Sequence, residues 1–375
     1  MKFKVPGKAF QTHLQLMSKV LNSKNTISIL DNFVLKVDGD KLWITGSDTE
    51  NTMVSWLDIL EVEGAGEVAV PSRTLIEMTK EIGNQPIEFE MNDETLHIDI
   101  NYTNGHFEFM GVDAAEFPRR ADVAEDVKEV VLPAEVVAKG IENTLYAVSA
   151  DTIRPAMTGI FWDIKEDHIV FVSSDTHKLV RYINRAAKPG FEGGFILPAK
   201  PANIVRSILG KEETEIKMKL NANGAVFEAG PFKLSCKFIK GSYPNYTRVI
   251  PSNCPYNLVV NREALLNAVR RVSLFASKST SLVKFEVSAT EIRMVSRDFD
   301  YSTLGEERVE CSYNGEPMTI GFSTNYMIEI LGNLSCDEVK ISLIDPARPG
   351  LYEPLQQNEE ENILVLQMPI QVFEN

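Results

Sequence analysis

His177 is the residue that first invites a chemical reading. It follows Asp175 by two positions, with Ser173 and Ser174 just upstream, so the residue types of a hydrolytic triad stand within five positions. A triad needs its nucleophile, base and orienting acid to meet in space. Neighbours on a strand point alternately to opposite faces, so these side chains are not expected to converge. Asp298-Phe299-Asp300, near Glu306 and Glu307, offers carboxylates to a cation. It lacks the loop of alternating oxygen ligands and the turn glycine that calcium sites use, which leaves exposed strand-end carboxylates as the expectation. The four cysteines, Cys236, Cys254, Cys311 and Cys336, form no C-x-x-C pair and no Cys/His cluster of zinc spacing. They are expected to be reduced and partly buried. Gly64-Ala65-Gly66 lacks the third glycine of a dinucleotide fingerprint, no G-x-x-x-x-G-K-[ST] occurs, and Gly210-Lys211 ends a helical pattern instead of opening one. The expectation is therefore no catalytic residue, no metal and no cofactor.

The elements that carry these residues recur three times. VPGKAFQTHLQLMSKVLN from Val5, LPAEVVAKGIENTLYAVS from Leu132 and VVNREALLNAVRRVSLFAS from Val259 each pass from a strand end into an apolar pattern of helical period. Phe10, Leu14, Met17 and Leu21 share one face in the first, Val137, Ile141, Leu145 and Val148 in the second, and Leu265, Val269, Val272 and Phe275 in the third. A hairpin pattern follows each, ending at Asp48, Asp175 and Asp298. A second helix is then predicted, with Pro71 and Pro198 at two of the starts and Gly83, Gly210 and Gly332 or Asn333 at the ends. Further strands close each unit. The 375 residues thus divide into expected domains at 1–123, 129–251 and 254–375, with connectors at 119–129 and 251–257. With 44% hydrophobic and 24% charged residues the composition is that of a globular protein. No apolar run is long enough for a membrane span, the start has no signal-peptide pattern, and a cytoplasmic location is expected.

Within this frame SDTHKL at 174–179, KGSYPNYTRVIP at 240–251 and QMPIQV near the C-terminus resemble motifs of the bacterial sliding clamps, the beta subunits of DNA polymerase III. The likeness spans the chain, with the same repeat order. It implies an α+β fold of three tandem clamp domains, each with two helices and antiparallel sheet. It also implies a head-to-tail homodimer closed into a six-domain ring whose helices line a hole for duplex DNA, held without regard to sequence. The resemblance places a peptide-binding pocket at Met157, Ser174, Thr176, His177, Lys178, Leu179, Pro244, Arg248, Val249, Ser323, Tyr326, Met368, Pro369 and Ile370. It places DNA contacts at Lys24, Arg73, Lys80, Lys200 and Arg206, and the dimer interface at Phe107, Phe109, Leu274 and Phe275. Implied partners are the polymerase III catalytic subunit, the clamp loader, other polymerases, ligase and mismatch-repair proteins, each docking a short peptide. Against the family's usual T-D-G-H-R-L, Thr176 replaces Gly and Lys178 replaces Arg; Thr280 stands where an aromatic is common, and Phe373-Glu374-Asn375 extends past the usual end.

The net charge of −15 at first opposes a DNA partner. Charge segregation answers this. The expected helices at 8–22, 72–83, 134–149, 199–209, 262–277 and 324–333 hold ten Lys or Arg against six acids, net +4, leaving −19 (−15 less 4) elsewhere. An enzyme built on repeats would need a nucleophile or carboxylate cluster in one repeat alone, and none is found. A purely structural repeat protein should have helices as acidic as its remainder, and these are not.

Overall fold

The computed structural model describes residues 1–118, 127–210 and 214–372. Most of the connector expected at 119–129, and the terminal Phe373-Glu374-Asn375, lie outside the described residues. The chain packs as two compact units, Met1–Ala138 with Lys200–Phe238, and Lys139–Ala199 with Ile239–Asn375. Each of the three sequence repeats supplies two helices: α1 (Gly7–Met17) and α2 (Ser72–Ile82), α3 (Ala134–Thr144) and α4 (Ala199–Ile208), α5 (Arg262–Ser273) and α6 (Thr324–Asn333). Among the described residues no helix is long and apolar enough to cross a membrane.

The first unit holds two antiparallel sheets. A five-stranded sheet runs Glu61–Glu63, Lys2–Pro6, Pro86–Met91, His97–Tyr102, Gly105–Met110. An eight-stranded sheet runs Lys128–Pro133, Glu215–Leu220, Gly224–Ala229, Phe232–Lys237, Asn51–Asp58, Lys41–Ser47, Asn32–Asp38, Gly66–Pro71. Its central join, Phe232–Lys237 against Asn51–Asp58, pairs a strand of the second repeat with one of the first. The hairpin expected before Asp48 forms with Gly39 at φ +66° opening its two-residue turn, a conformation glycine adopts freely. Phe10, Leu14 and Met17 of α1 are fully buried, and Phe10 meets the Phe89 ring edge-on at 5.5 Å.

In the second unit one sheet of twelve strands carries the analogous join, Glu361–Gln367 of the third repeat against Lys178–Asn184 of the second. Leu265, Leu266, Val269 and Val272 of α5 pack into a core with Met327, Ile330 and Leu331 of α6. Burial of each such side chain contributes about 1.5–3 kcal/mol. The strand Ile169–Ser174 is buried along its whole length where alternation was expected, because Leu179, Tyr243 and Tyr246 cover the face that would otherwise meet water.

The first helix of every repeat is shorter than its apolar pattern predicts. Ser18, Thr144 and Ser273 donate their hydroxyls to the carbonyls of Gln15, Gly140 and Arg270, three or four residues back. Such back-bonding competes with helix propagation. α1 and α3 tighten into 3-10 turns, Ser18–Val20 and Leu145–Ala147. Leu21, Leu145 and Val148 are consequently only half-buried, and Phe275 is 40% exposed.

Candidate functional site

The turn at Asp175 joins strands Ile169–Ser174 and Lys178–Asn184. Asp175 Oδ1 accepts the backbone N–H groups of His177 at 2.9 Å and Lys178 at 2.8 Å, and Ser174 Oγ donates to the Lys178 carbonyl at 2.8 Å. These bonds fix Thr176 at φ +79°, where a β-branched residue is strained by about 1–2 kcal/mol. The glycine of the sliding-clamp motif suits this position on steric grounds alone. Lys178 is 4% exposed, and its ammonium contacts Asp175 Oδ2 at 2.6 Å and Glu329 Oε2 at 2.9 Å. It also lies 4.6 Å from the centre of the Tyr326 ring on α6. Burial alone would lower the Lys178 pKa; its hydrogen bonds to the two carboxylates outweigh this and raise it. The His177 ring stacks on Tyr326 with centroids 5.5 Å apart.

The carboxy-terminal segment lies along this turn. Met368 N–H donates to the His177 carbonyl and Ile370 N–H to that of Gly321, both at 2.8 Å, while Gln367 Nε2 donates to the Ser323 carbonyl at 3.1 Å. Behind the turn Leu179 packs with Val172, Leu351, Leu364 and Leu366, flanked by Tyr243, Tyr246 and Ile250. Phe161 stacks on Tyr243 at 5.0 Å, and Tyr246 donates its hydroxyl to Asp163 at 2.8 Å. Those aromatics anchor the stretch that presents Pro244, Arg248 and Val249 to solvent; Val249 is 53% and Met368 41% exposed. Met157 is half-buried on the turn before strand Gly159–Ile164, and Thr280 is exposed. The structure therefore joins His177, Lys178, Leu179, Ser323, Tyr326 and Met368 directly. Pro244, Arg248 and Val249 lie on the stretch that Tyr243 and Tyr246 anchor, and Pro369 lies between Met368 and Ile370; no described contact places Met157 among them.

The triad residue types do not converge. Ser173 donates to the Thr144 carbonyl, Ser174 to that of Lys178, and the Asp175 carboxylate serves backbone amides and Lys178. What the arrangement offers is apolar surface beside hydrogen-bonding groups on a rigid turn, which suits binding. The expected pocket left out Asp175, Glu329, Tyr243, Tyr246 and Gln367, although SDTHKL, KGSYPNYTRVIP and QMPIQV contain four of them. The aromatic pair in Tyr243-Pro244-Asn245-Tyr246 was the available signal. A cavity of about 450 Å³ elsewhere in this unit is lined by polar groups including Lys139, Glu142, Asn333, Gln357 and Glu361, and the 2.9 Å Lys139–Glu361 ion pair occupies its wall.

The residues expected to contact DNA all belong to the first unit. Arg73 and Lys80 on α2 and Arg206 on α4 are exposed, as is Lys24. Arg73 Nη2 donates to the Ser23 carbonyl at 2.8 Å, tying the loop of Lys24 to α2. Lys200 differs: its ammonium meets Val20 O, Leu21 O, Asn22 Oδ1 and Asp48 Oδ2 at 2.6–3.3 Å. The six helices as observed hold nine Lys or Arg against six Glu, net +3. In the same unit Phe107 is 40% exposed on the edge strand Gly105–Met110, with Phe109 on the same face. In the second unit Leu274 is 80% exposed and Phe275 covers Gly305, where an added Cβ would come within 2.6 Å of its ring.

Comparison with known proteins accounts for nearly the whole chain. Family models of the DNA polymerase III beta subunit match it in order: the N-terminal domain at residues 1–121, the central domain at 131–245 and the C-terminal domain at 247–371. The beta sliding clamp of Staphylococcus aureus is 24% identical, with all of both chains covered. Two solved structures share the fold, each 22% identical and covering 99% of this chain and 100% of the other. These are the DNA polymerase III beta subunit of Thermotoga maritima, TM-score 0.91, and a Pseudomonas aeruginosa sliding clamp bound to griselimycin, TM-score 0.93. The three domain matches in sequence order, on a fold of three two-helix antiparallel repeats, establish that the chain belongs to the DNA polymerase III beta-subunit family, the bacterial sliding clamps.

Proposed function

We propose that this chain is a processivity factor without a catalytic site of its own, a cytoplasmic clamp whose dimer encircles duplex DNA and tethers the replicative polymerase. One observation carries the ring. Strand Phe232–Lys237 pairs with Asn51–Asp58, and Glu361–Gln367 pairs with Lys178–Asn184. The corresponding first-repeat strand Gly105–Met110 ends its sheet, and the outer side of Thr303–Arg308, its expected mate, pairs with no described strand. An unpaired edge bearing Phe107 and Phe109 is an aggregation hazard, and a second copy removes it. Carrying over the register of the two internal joins, Leu234↔Met53 and Val365↔Val180, sets Phe107 opposite Gly305 of the other protomer, beside Phe275 and Leu274. Burying two such side chains contributes roughly 3–6 kcal/mol per interface.

The domains of this reading are 1–123, 129–251 and 254–375. Lys24, Arg73, Lys80 and Arg206 meet phosphates, and Lys200, whose ammonium already has four oxygen partners, contributes mainly to the field. Phosphate contacts of this kind carry no sequence information, which suits sliding. The groove at His177, Lys178, Leu179, Tyr326 and Met368 takes apolar anchors of short peptides from the polymerase, clamp loader, other polymerases, ligase and mismatch-repair proteins. The P. aeruginosa clamp bound to griselimycin supports a ligand-binding role for the fold. The test is retention on DNA. The protein loaded on a closed circle should stay through gel filtration and leave once the circle is cut, and Leu274→Ala with Phe275→Ala should give monomers that are not retained. Equal retention on cut DNA, or a dimer persisting in the double variant at micromolar concentration, overturns the reading.

A further inference from the structure

The face of the five-stranded sheet opposite Phe107 and Phe109, on the edge strand that the proposed dimer pairs, carries a cluster that neither DNA nor peptide binding uses. Asp99 and Glu108 stand directly across from each other on strands His97–Tyr102 and Gly105–Met110. Like charges so opposed are destabilising, and Glu90 adds a third carboxylate in the same row, opposite Asp99 on strand Pro86–Met91. Lys2 lies within 3.4 Å of Glu90. The groups beside Asp99 and Glu108 are two imidazoles. His97 Nδ1 lies 3.2 Å from Asp99 and its Nε2 3.6 Å from Glu108, while His106 Nε2 lies 3.5 Å from Asp99 and its Nδ1 3.1 Å from Asn101 Oδ1. Among the described residues, Asp99, His106 and Glu108 are the one group of three His, Cys, Asp or Glu whose ligand atoms all lie within 4.8 Å of one another.

We propose that Asp99, His106 and Glu108 hold one divalent first-row transition cation of the zinc class, with the adjacent His97 ring turning in to supply a fourth ligand. Zinc takes imidazole nitrogen and carboxylate oxygen at about 2.0–2.2 Å in a tetrahedron, whose edges are then about 3.3–3.6 Å. The 3.5 Å separation of His106 Nε2 from Asp99 already matches such an edge, while His97, which turns Nδ1 to Asp99 and Nε2 to Glu108, must rotate to offer one nitrogen. Two imidazoles and two carboxylates suit this cation better than calcium, which needs six to eight oxygens. A bound dication also neutralises the opposed Asp99 and Glu108. The spacing H-x-D then H-x-E follows the two-residue period of a hairpin, so no Cys/His zinc pattern announces it.

The test uses the full-length protein after chelator treatment, titrated with zinc chloride by calorimetry and with cobalt chloride by absorption. One ion per chain is expected, with a tetrahedral cobalt band in the visible and no thiolate charge-transfer band in the near ultraviolet. His106→Ala and Asp99→Asn should each weaken binding at least about 10-fold, whereas His168→Ala, at another exposed His–Asp pair, should not. All four residues are at least partly exposed, and circular dichroism confirms that the variants fold. Absence of saturable equimolar binding, undiminished binding in the His106 or Asp99 variants, or a sulfur signature overturns the proposal.

Discussion

The turns at Asp48 and Asp175 share one pattern of backbone hydrogen bonds, yet draw their cation from different places. In both, a serine hydroxyl bonds the carbonyl four residues on: Ser47 to Asn51 at 2.9 Å and Ser174 to Lys178 at 2.8 Å. In both, the aspartate accepts two backbone amides, and Thr49 and Thr176 sit at φ +78° and +79°. At Asp48 the fourth residue is Asn51, which gives its amide to the carboxylate, and the cation arrives from Lys200 at the start of α4. At Asp175 the fourth residue is itself the cation, Lys178, and α6 supplies an acid and a ring, Glu329 and Tyr326. The third turn, at Asp298, keeps the amide-accepting carboxylate, bonding Asp300 and Tyr301, but is two residues longer. The difference teaches that the repeat conserves a joint and varies its lining. One joint is closed by a lysine inserted from the neighbouring helix. The other supplies its own lysine, and α6 presents the Tyr326 ring on which His177 stacks beside Met368.

The largest way to break this comparison is at the buried ammonium. Lys178→Met leaves Asp175, 15% exposed, without its charged partner. Removing one member of a buried pair costs about 3–5 kcal/mol. Because Glu329 is half exposed, we expect the low end, about 3 kcal/mol, in urea unfolding of the full chain. A loss below about 1 kcal/mol would mean that the pair is only a surface contact.

Lys200→Met should cost less, about 2 kcal/mol, because Asn51 and two backbone amides still serve Asp48. Its signature is pH dependence. Burial pushes the Asp48 carboxyl up, but hydrogen bonds from Lys200 and Asn51 outweigh it and hold the pKa below the usual value. A carboxyl depressed in the folded state contributes stability above its unfolded pKa, and that contribution is lost as pH falls through the folded pKa. The protein should therefore keep this increment down to about pH 4 and shed it below. Without Lys200 its share of that lowering is gone, and acid destabilisation should begin at higher pH. Urea midpoints of both proteins between pH 3 and pH 6 make the measurement, and parallel curves would remove Lys200 from the account.

Much of this fold was legible because each level of the sequence agreed. Apolar period, turn residues and the recurring Asp marked three repeats, and Phe10, Leu14, Met17, Leu265, Val269 and Val272 are buried as their spacing predicts. Helix ends were not legible, since a hydroxyl at Ser18, Thr144 or Ser273 can bond its own helix or water, and only packing decides. The contacts around the Asp175 turn were legible in part. SDTHKL marks the turn, but Glu329 and Gln367 reach it from more than a hundred residues away. No local pattern encodes such a pairing. Lys200 illustrates the converse: as a helix-start lysine it reads as a DNA contact, while its four oxygen partners come from loops distant in sequence.

The smallest effect separates backbone from lining most cleanly. Thr49 and Thr176 occupy the same left-handed conformation, and both are exposed. Glycine there removes strain of about 1–2 kcal/mol and loses about 0.5–1 kcal/mol to the freedom of the unfolded chain. Thr49→Gly and Thr176→Gly should therefore each stabilise by about 0.5–1 kcal/mol, equally, because the two turns are the same object to the backbone. Their effects on binding should differ. Thr176 lies between Asp175 and His177 at the rim of the proposed peptide site, whereas Thr49 belongs to the joint that Lys200 closes. A fluorescent peptide of the clamp-binding kind, with a glutamine and spaced Leu and Phe anchors, should bind at roughly micromolar Kd. Thr176→Gly should shift that affinity by a factor of about 2–5, the scale of one side-chain contact, and Thr49→Gly should leave it unchanged. Equal affinity in all three proteins, with equal stabilisation, would show that the peptide does not reach the turn. A stability difference between the two variants would instead show that the joints differ in backbone as well as in lining.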